Sequence, residues 1–119
     1  MPDARYQKVK HLVEVEDDIL AVFTVNLGDS HIENLEIAQS ANITKDFVNQ
    51  IFANFRGNFG HNVEETTTIV GHLKWSVHET DRIRTLIIYE KNQSVVVLIK
   101  SNISLSESVD NILGYYYET

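Results

Sequence analysis

The segment Ile83-Arg84-Thr85-Leu86-Ile87-Ile88-Tyr89-Glu90-Lys91-Asn92-Gln93-Ser94-Val95-Val96-Val97-Leu98-Ile99-Lys100 decides how the rest of the chain is read. Its two arms, Ile83–Tyr89 and Val95–Lys100, are the most apolar stretches, which suits strands buried on both faces at the centre of a sheet. Glu90-Lys91-Asn92-Gln93 is a polar turn short enough to make a hairpin, so the arms pair antiparallel. Just upstream, Glu79-Thr80-Asp81-Arg82 gives a second turn. Before it, Val63 to Val77 alternates with period two. Val63, Thr67, Ile69, Gly71, Leu73, Trp75 and Val77 share one face, while Glu64, Thr66, Thr68, His72, Lys74, Ser76 and His78 lie mostly on the other. A straight strand of that length spans ~50 Å, so a bend or bulge is expected at Gly71.

Nearer the N-terminus, Ile19–Val25 reads as a buried strand. Asn26-Leu27-Gly28-Asp29 turns the chain, with Gly28 free to take positive φ. Ser30–Ala38 follows as a second strand. His31, Glu33 and Glu36 interrupt its apolar pattern, which fits a sheet edge.

Three helices complete the order. Tyr6, Val9, Leu12 and Val13 mark a short one from Ala4, ending near Val13 because the acidic run Glu14, Glu16, Asp17, Asp18 opposes the dipole at a helix C-terminus. Thr44 is an N-cap before Phe47, Val48, Ile51, Phe52, Phe55 and Phe59 at helical spacing, with Gly57 or Gly60 as the stop. Ser104 and Glu107 form an S-x-x-E capping box opening a helix with Leu105, Val109, Ile112, Leu113 and Tyr116 on one stripe. The order α-β-β-α-β-β-β-α predicts a single α+β domain over residues 1–119, a five-stranded antiparallel sheet with helices on both faces.

Composition narrows the function. At 119 residues the chain has room for one domain. Apolar residues are 43% and charged ones 23%, ordinary for a globule. With no cysteine, disulfides, thiolate zinc sites and a cysteine nucleophile are excluded. A net charge of −7 argues against nucleic acid as the main partner, because phosphate binding needs a basic surface. The longest apolar runs fall far short of the ~20 residues that cross a bilayer, and no signal-peptide pattern follows Met1, so a cytoplasmic protein without membrane insertion is expected.

No constellation carries chemistry. His72 and His78 sit ~20 Å apart along a strand and cannot share a metal. His31 and Glu33 share a face as half a metal site at most, and a solvated edge accounts for them. Ser76 and His78 project the same way without an orienting acid. Gly57-Asn58-Phe59-Gly60 lacks the lysine of a phosphate loop. No catalytic, metal or cofactor-binding residue is therefore assigned.

One surface feature remains. At 100° per residue the helix positions from Phe47 through Ile51, Phe55, Val48 and Phe59 to Phe52 span an arc of ~140°, wider than a stripe covering only a sheet needs. Four phenylalanines on that arc suggest contact with the sheet and with a partner.

The sequence resembles the Roadblock (dynein light chain Roadblock-type) family of the profilin-like and longin-like group over nearly its whole length. The resemblance rests on Ile19–Val25 before the Asn26–Asp29 turn, the Phe47–Phe59 helix, the paired strands Ile83–Tyr89 and Val95–Lys100, and the Ser104-capped helix. Two departures are Gly28 preceding Asp29, where the family often places glycine after an acidic residue, and the long Val63–Val77 strand. The resemblance implies a non-enzymatic module that dimerises with itself or a related Roadblock-type subunit and tethers or regulates a small GTPase. In the family dimer the central helix and the third strand each meet their counterparts, which here implies an interface of Phe47, Ile51, Phe55, Phe59, Thr66, Thr68 and Val70. Residues 1–40 hold −5 of the net charge, so Glu14, Glu16, Asp17 and Asp18 are a further partner patch for a basic surface. A PAS-like small-molecule sensor and a longin-like trafficking adaptor are the alternatives.

Overall fold

The computed structural model describes residues 7, 10, 11, 13, 14, 17–26, 31–39, 41–55, 74–91 and 93–118. Five strands form one sheet: β1 (Ile19–Asn26), β2 (His31–Ile37), β3 (Trp75–Glu79), β4 (Ile83–Tyr89) and β5 (Gln93–Lys100). Their spatial order is β2-β1-β5-β4-β3, and every pairing is antiparallel. Two helices are described, α1 (Lys45–Phe55) and α2 (Leu105–Glu118). Gln7, Lys10, His11, Val13 and Glu14 are also helical, one residue past the expected end at Val13.

The apolar hairpin sits where its composition requires. β5 is the middle strand, with β1 and β4 beside it, and Val95 through Ile99 are fully buried. The polar β2 lies at one edge, as His31, Glu33 and Glu36 predicted. β5 begins at Gln93 rather than Val95, because the Glu90 N–H donates to the Gln93 carbonyl at 2.8 Å and tightens the turn. β3 likewise continues two residues past Val77 to Glu79. Thr80 then closes the turn: its Oγ1 donates to the Ile83 carbonyl (2.9 Å) and accepts from the Ile83 N–H (3.1 Å). The expected strand from 63 to 73, its bend at Gly71 and His72 lie outside the described residues, as do Gly28, Gly57 and Gly60.

Strand alternation divides the core in two. Val22, Leu86, Ile88, Val95, Val97 and Ile99 face one side, where Val13 and the α2 residues Val109, Ile112 and Tyr116 cover them. Ala21, Phe23, Val25, Ile87, Val96 and Leu98 face the other and meet Val48 of α1. Helical residues thus cover both faces. β1 carries a bulge between Phe23 and Val25, where buried Thr24 accepts from the Asn34 amide groups at 3.3 and 3.1 Å.

Two large apolar residues lie outside it. Leu105 is 54% exposed, in a first turn of α2 whose neighbours Ser106 and Glu107 are exposed as well. Trp75 is 42% exposed. It shares its face with Val77 as the alternation predicts, but its strand is an edge with little to cover a large ring.

Candidate functional site

The helix expected to carry an interface forms as its sequence dictates. Thr44 Oγ1 accepts the Phe47 N–H at 3.1 Å, satisfying one of the unpaired donors of the first turn, and Asp46 complements the dipole there. Val48 is fully buried and aligns α1 on the sheet. Phe47, Ile51 and Phe52 flank it, packed against the core yet only partly buried. Lys45, Asp46, Asn49, Gln50, Ala53 and Asn54 are exposed and form the opposite side.

Of the expected interface residues, Phe47 and Ile51 therefore share one flank of α1. Phe55 closes α1 as backbone, and its side chain, with Phe59, Thr66, Thr68 and Val70, lies outside the described residues. β3 does occupy a sheet edge, the position a strand needs to meet its counterpart in another subunit.

The acidic patch is only partly gathered. Glu14 and Asp17 are exposed and Asp18 is half-buried, its carbonyl accepting from the Lys100 N–H at 2.9 Å. Glu16 lies outside the described residues. Glu36 of β2 joins Glu14 and Asp17 around an open hollow of about 450 Å³ and pairs with Lys10 at 3.4 Å. His11 lies 3.9 Å from Glu14.

No group of three or more histidines, aspartates, glutamates and cysteines converges to hold a metal among the described residues. His31 and Glu33 both stand exposed on β2. Ser76 Oγ lies 3.4 Å from His78 Nε2 and 3.0 Å from the Tyr89 hydroxyl, a half-buried polar group across β3 and β4.

Sequence reading passed over one charged cluster. Arg84 is 4% exposed, and its guanidinium donates to Glu79 Oε1 (2.5 Å) and Oε2 (3.3 Å), Ser108 Oγ (2.8 Å), and the carbonyls of Ile103 (3.0 Å) and Ser104 (3.4 Å). The planar fork suits several acceptors at once, where an ammonium would serve fewer. The available signal was a single cation inside a predominantly apolar interior strand. Its partners stand on β3, on α2 and on the two residues that precede α2, so the cluster ties these segments together rather than opening a site.

No family model and no curated protein sequence matches this chain. Solved structures do match, and they define a Roadblock/LC7-type fold. The Roadblock/LC7 domain of Streptomyces avermitilis superposes with a TM-score of 0.63 at 9% identity, over 89% of this chain and 87% of that one. The gliding protein MglB of Thermus thermophilus gives 0.68 at 10% identity, over 98% of this chain and 89% of its own. An MglB with a tetrameric arrangement gives 0.68 at 10%, over 99% and 89%. No helix among the described residues is long and apolar enough to cross a membrane.

Proposed function

We propose that this protein is a non-enzymatic, cytoplasmic interaction module of Roadblock type that dimerises through α1 and the β3 edge and tethers or regulates a small GTPase. One observation carries the reading. α1 buries Val48 completely while Phe47, Ile51 and Phe52 stay partly exposed beside it, more apolar surface than contact with the sheet consumes. The tetrameric arrangement of one MglB of the same fold supports self-association as the use of that surface. A GTPase partner would bring its own catalytic groups, and this chain would contribute surface and orientation.

Absolute mass by light scattering after size exclusion tests the dimer. A value near twice 13.6 kDa supports it, and Phe47→Asp should then return the mass to that of one chain. A Phe47→Asp protein that keeps both its fold and a doubled mass removes this face from the interface. The GTPase reading is tested by turnover of purified small GTPases with and without the protein, and by co-elution.

A further inference from the structure

We propose that the outer edge of β2 receives an extended, basic segment of another protein as a sixth strand. β2 ends the sheet and pairs only with β1 among the described residues. Its seven residues, His31-Ile32-Glu33-Asn34-Leu35-Glu36-Ile37, contain neither proline nor lysine, two common ways of blocking such an edge. The ladder fixes which main-chain groups are available. The Ala38 N–H donates inward to the Leu20 carbonyl, and Glu36 lies opposite Val22 two residues along. Alternation then turns the N–H and C=O groups of Leu35 and Ile37 away from β1.

The surroundings of the edge select what can pair there. On one face, Glu36 borders the 450 Å³ hollow with Glu14 and Asp17, with Lys10 as the one lysine or arginine among the described lining residues. On the other, Ile32, Leu35 and Phe52 line a second open hollow of about 350 Å³ between β2 and α1, rimmed by Glu33 and Lys45. A strand laid on β2 sends alternate side chains to these two faces. Basic residues on one side and apolar residues on the other would meet complementary surfaces at once. A second copy of β2 would instead bring two further glutamates and no lysine or arginine to an edge that already carries Glu33 and Glu36, and like charges gathered on facing strands repel. The occupant is therefore a lysine- or arginine-bearing extended segment, bound mainly through its backbone.

This edge is the far one from β3, and although Phe52 borders both surfaces, the inference can fail without the dimer reading failing. The probe is a synthetic octapeptide alternating lysine and valine, added to the full chain at low salt. Two controls accompany it: the same peptide with glutamate for lysine, and the lysine peptide with alternate backbone amides N-methylated. The lysine peptide should bind, each control should bind at least tenfold more weakly, and hydrogen exchange at the Leu35 and Ile37 amides should slow on binding. Asp17→Lys, an exposed substitution, should weaken binding at least threefold, as should Glu36→Lys. Absence of binding by the lysine peptide overturns the proposal. Equal binding by the N-methylated peptide also overturns it, because attraction would then be electrostatic without strand pairing. So does a doubled mass, measured without peptide, that Glu33→Arg or Leu35→Asp abolishes in a folded protein, since the edge would then serve a second copy.

Discussion

Arg84 of β4 and Ser108 of α2 meet at 2.8 Å inside the protein, and the same guanidinium reaches Glu79 of β3. One side chain thus ties two strands to a helix. Arg84→Met should lower stability by about 3 kcal/mol, the low end for breaking a buried pair because Glu79 is half-exposed and can be solvated. For a domain of this size that corresponds to a melting temperature roughly 10 °C lower. Arg84→Lys should recover less than half of the loss, since three donors on a single nitrogen cannot replace five bonds spread over the three nitrogens of the guanidinium. Thermal denaturation of the two variants checks this, and a shift under about 2 °C for Arg84→Met would show that the network contributes little.

A second tie holds the opposite end of α2. The buried Tyr116 donates its hydroxyl proton to Glu90 Oε1 at 2.5 Å, joining the helix to the β4–β5 turn. Tyr116→Phe keeps the ring and should cost about 1.5 kcal/mol, the usual contribution of a hydrogen bond to a charged group. Glu90→Gln keeps an acceptor and should cost less. Urea unfolding of both single variants and the double variant gives the coupling directly, and additive losses would mean the bond is not formed in solution.

Residues on α1 should separate into two kinds. Val48→Ala empties space in the core and should cost about 2 kcal/mol in the stability of each chain. Phe47→Asp sits on the partly exposed flank, so its main effect should be on mass in solution, with roughly a hundredfold weaker self-association. Unfolding curves and light scattering on the same samples distinguish the two. If Phe47→Asp destabilises the isolated chain more than Val48→Ala, that flank is core and not interface.

The cap of α1 offers a milder perturbation. Thr44→Ala leaves the Phe47 N–H without its side-chain acceptor and should cost about 1 kcal/mol. Thr44→Ser should be nearly neutral, because the hydroxyl survives. Circular dichroism melts resolve the difference, and equal losses from both substitutions would place the effect in the threonine methyl group.

Much of this fold was written in local pattern. The bounds of β4 were read to the residue, because Ile83–Tyr89 is predominantly apolar and lies between two polar turns. The interruptions at His31, Glu33 and Glu36 placed β2 at an edge, and Thr44 and Ser104 located both described helix starts. What periodicity could not convey was how far each element extends over its neighbours. Leu105 has the right spacing for the α2 stripe but lies in an exposed first turn, and Trp75 has the right parity but sits on an edge strand. Arg84 was missed for a related reason: nothing local to β4 reveals that Glu79, Ser108 and two carbonyls converge on it. The partly buried flank of Phe47 and Ile51 was legible as surplus apolar width, whereas the interface proposed for it depends on a second molecule.

The central position of β5 has a consequence for synthesis on the ribosome. Phe23 of β1 faces Val96 of β5, so β1 waits for a segment far downstream in the chain before it gains its inner neighbour. Until β5 has cleared the exit tunnel, β1 can pair only with the polar β2, and its apolar surface stays open to chaperones. Completion of this sheet is therefore expected to follow translation of residue Lys100 in one late step, the β1–β2 hairpin alone being too small to persist.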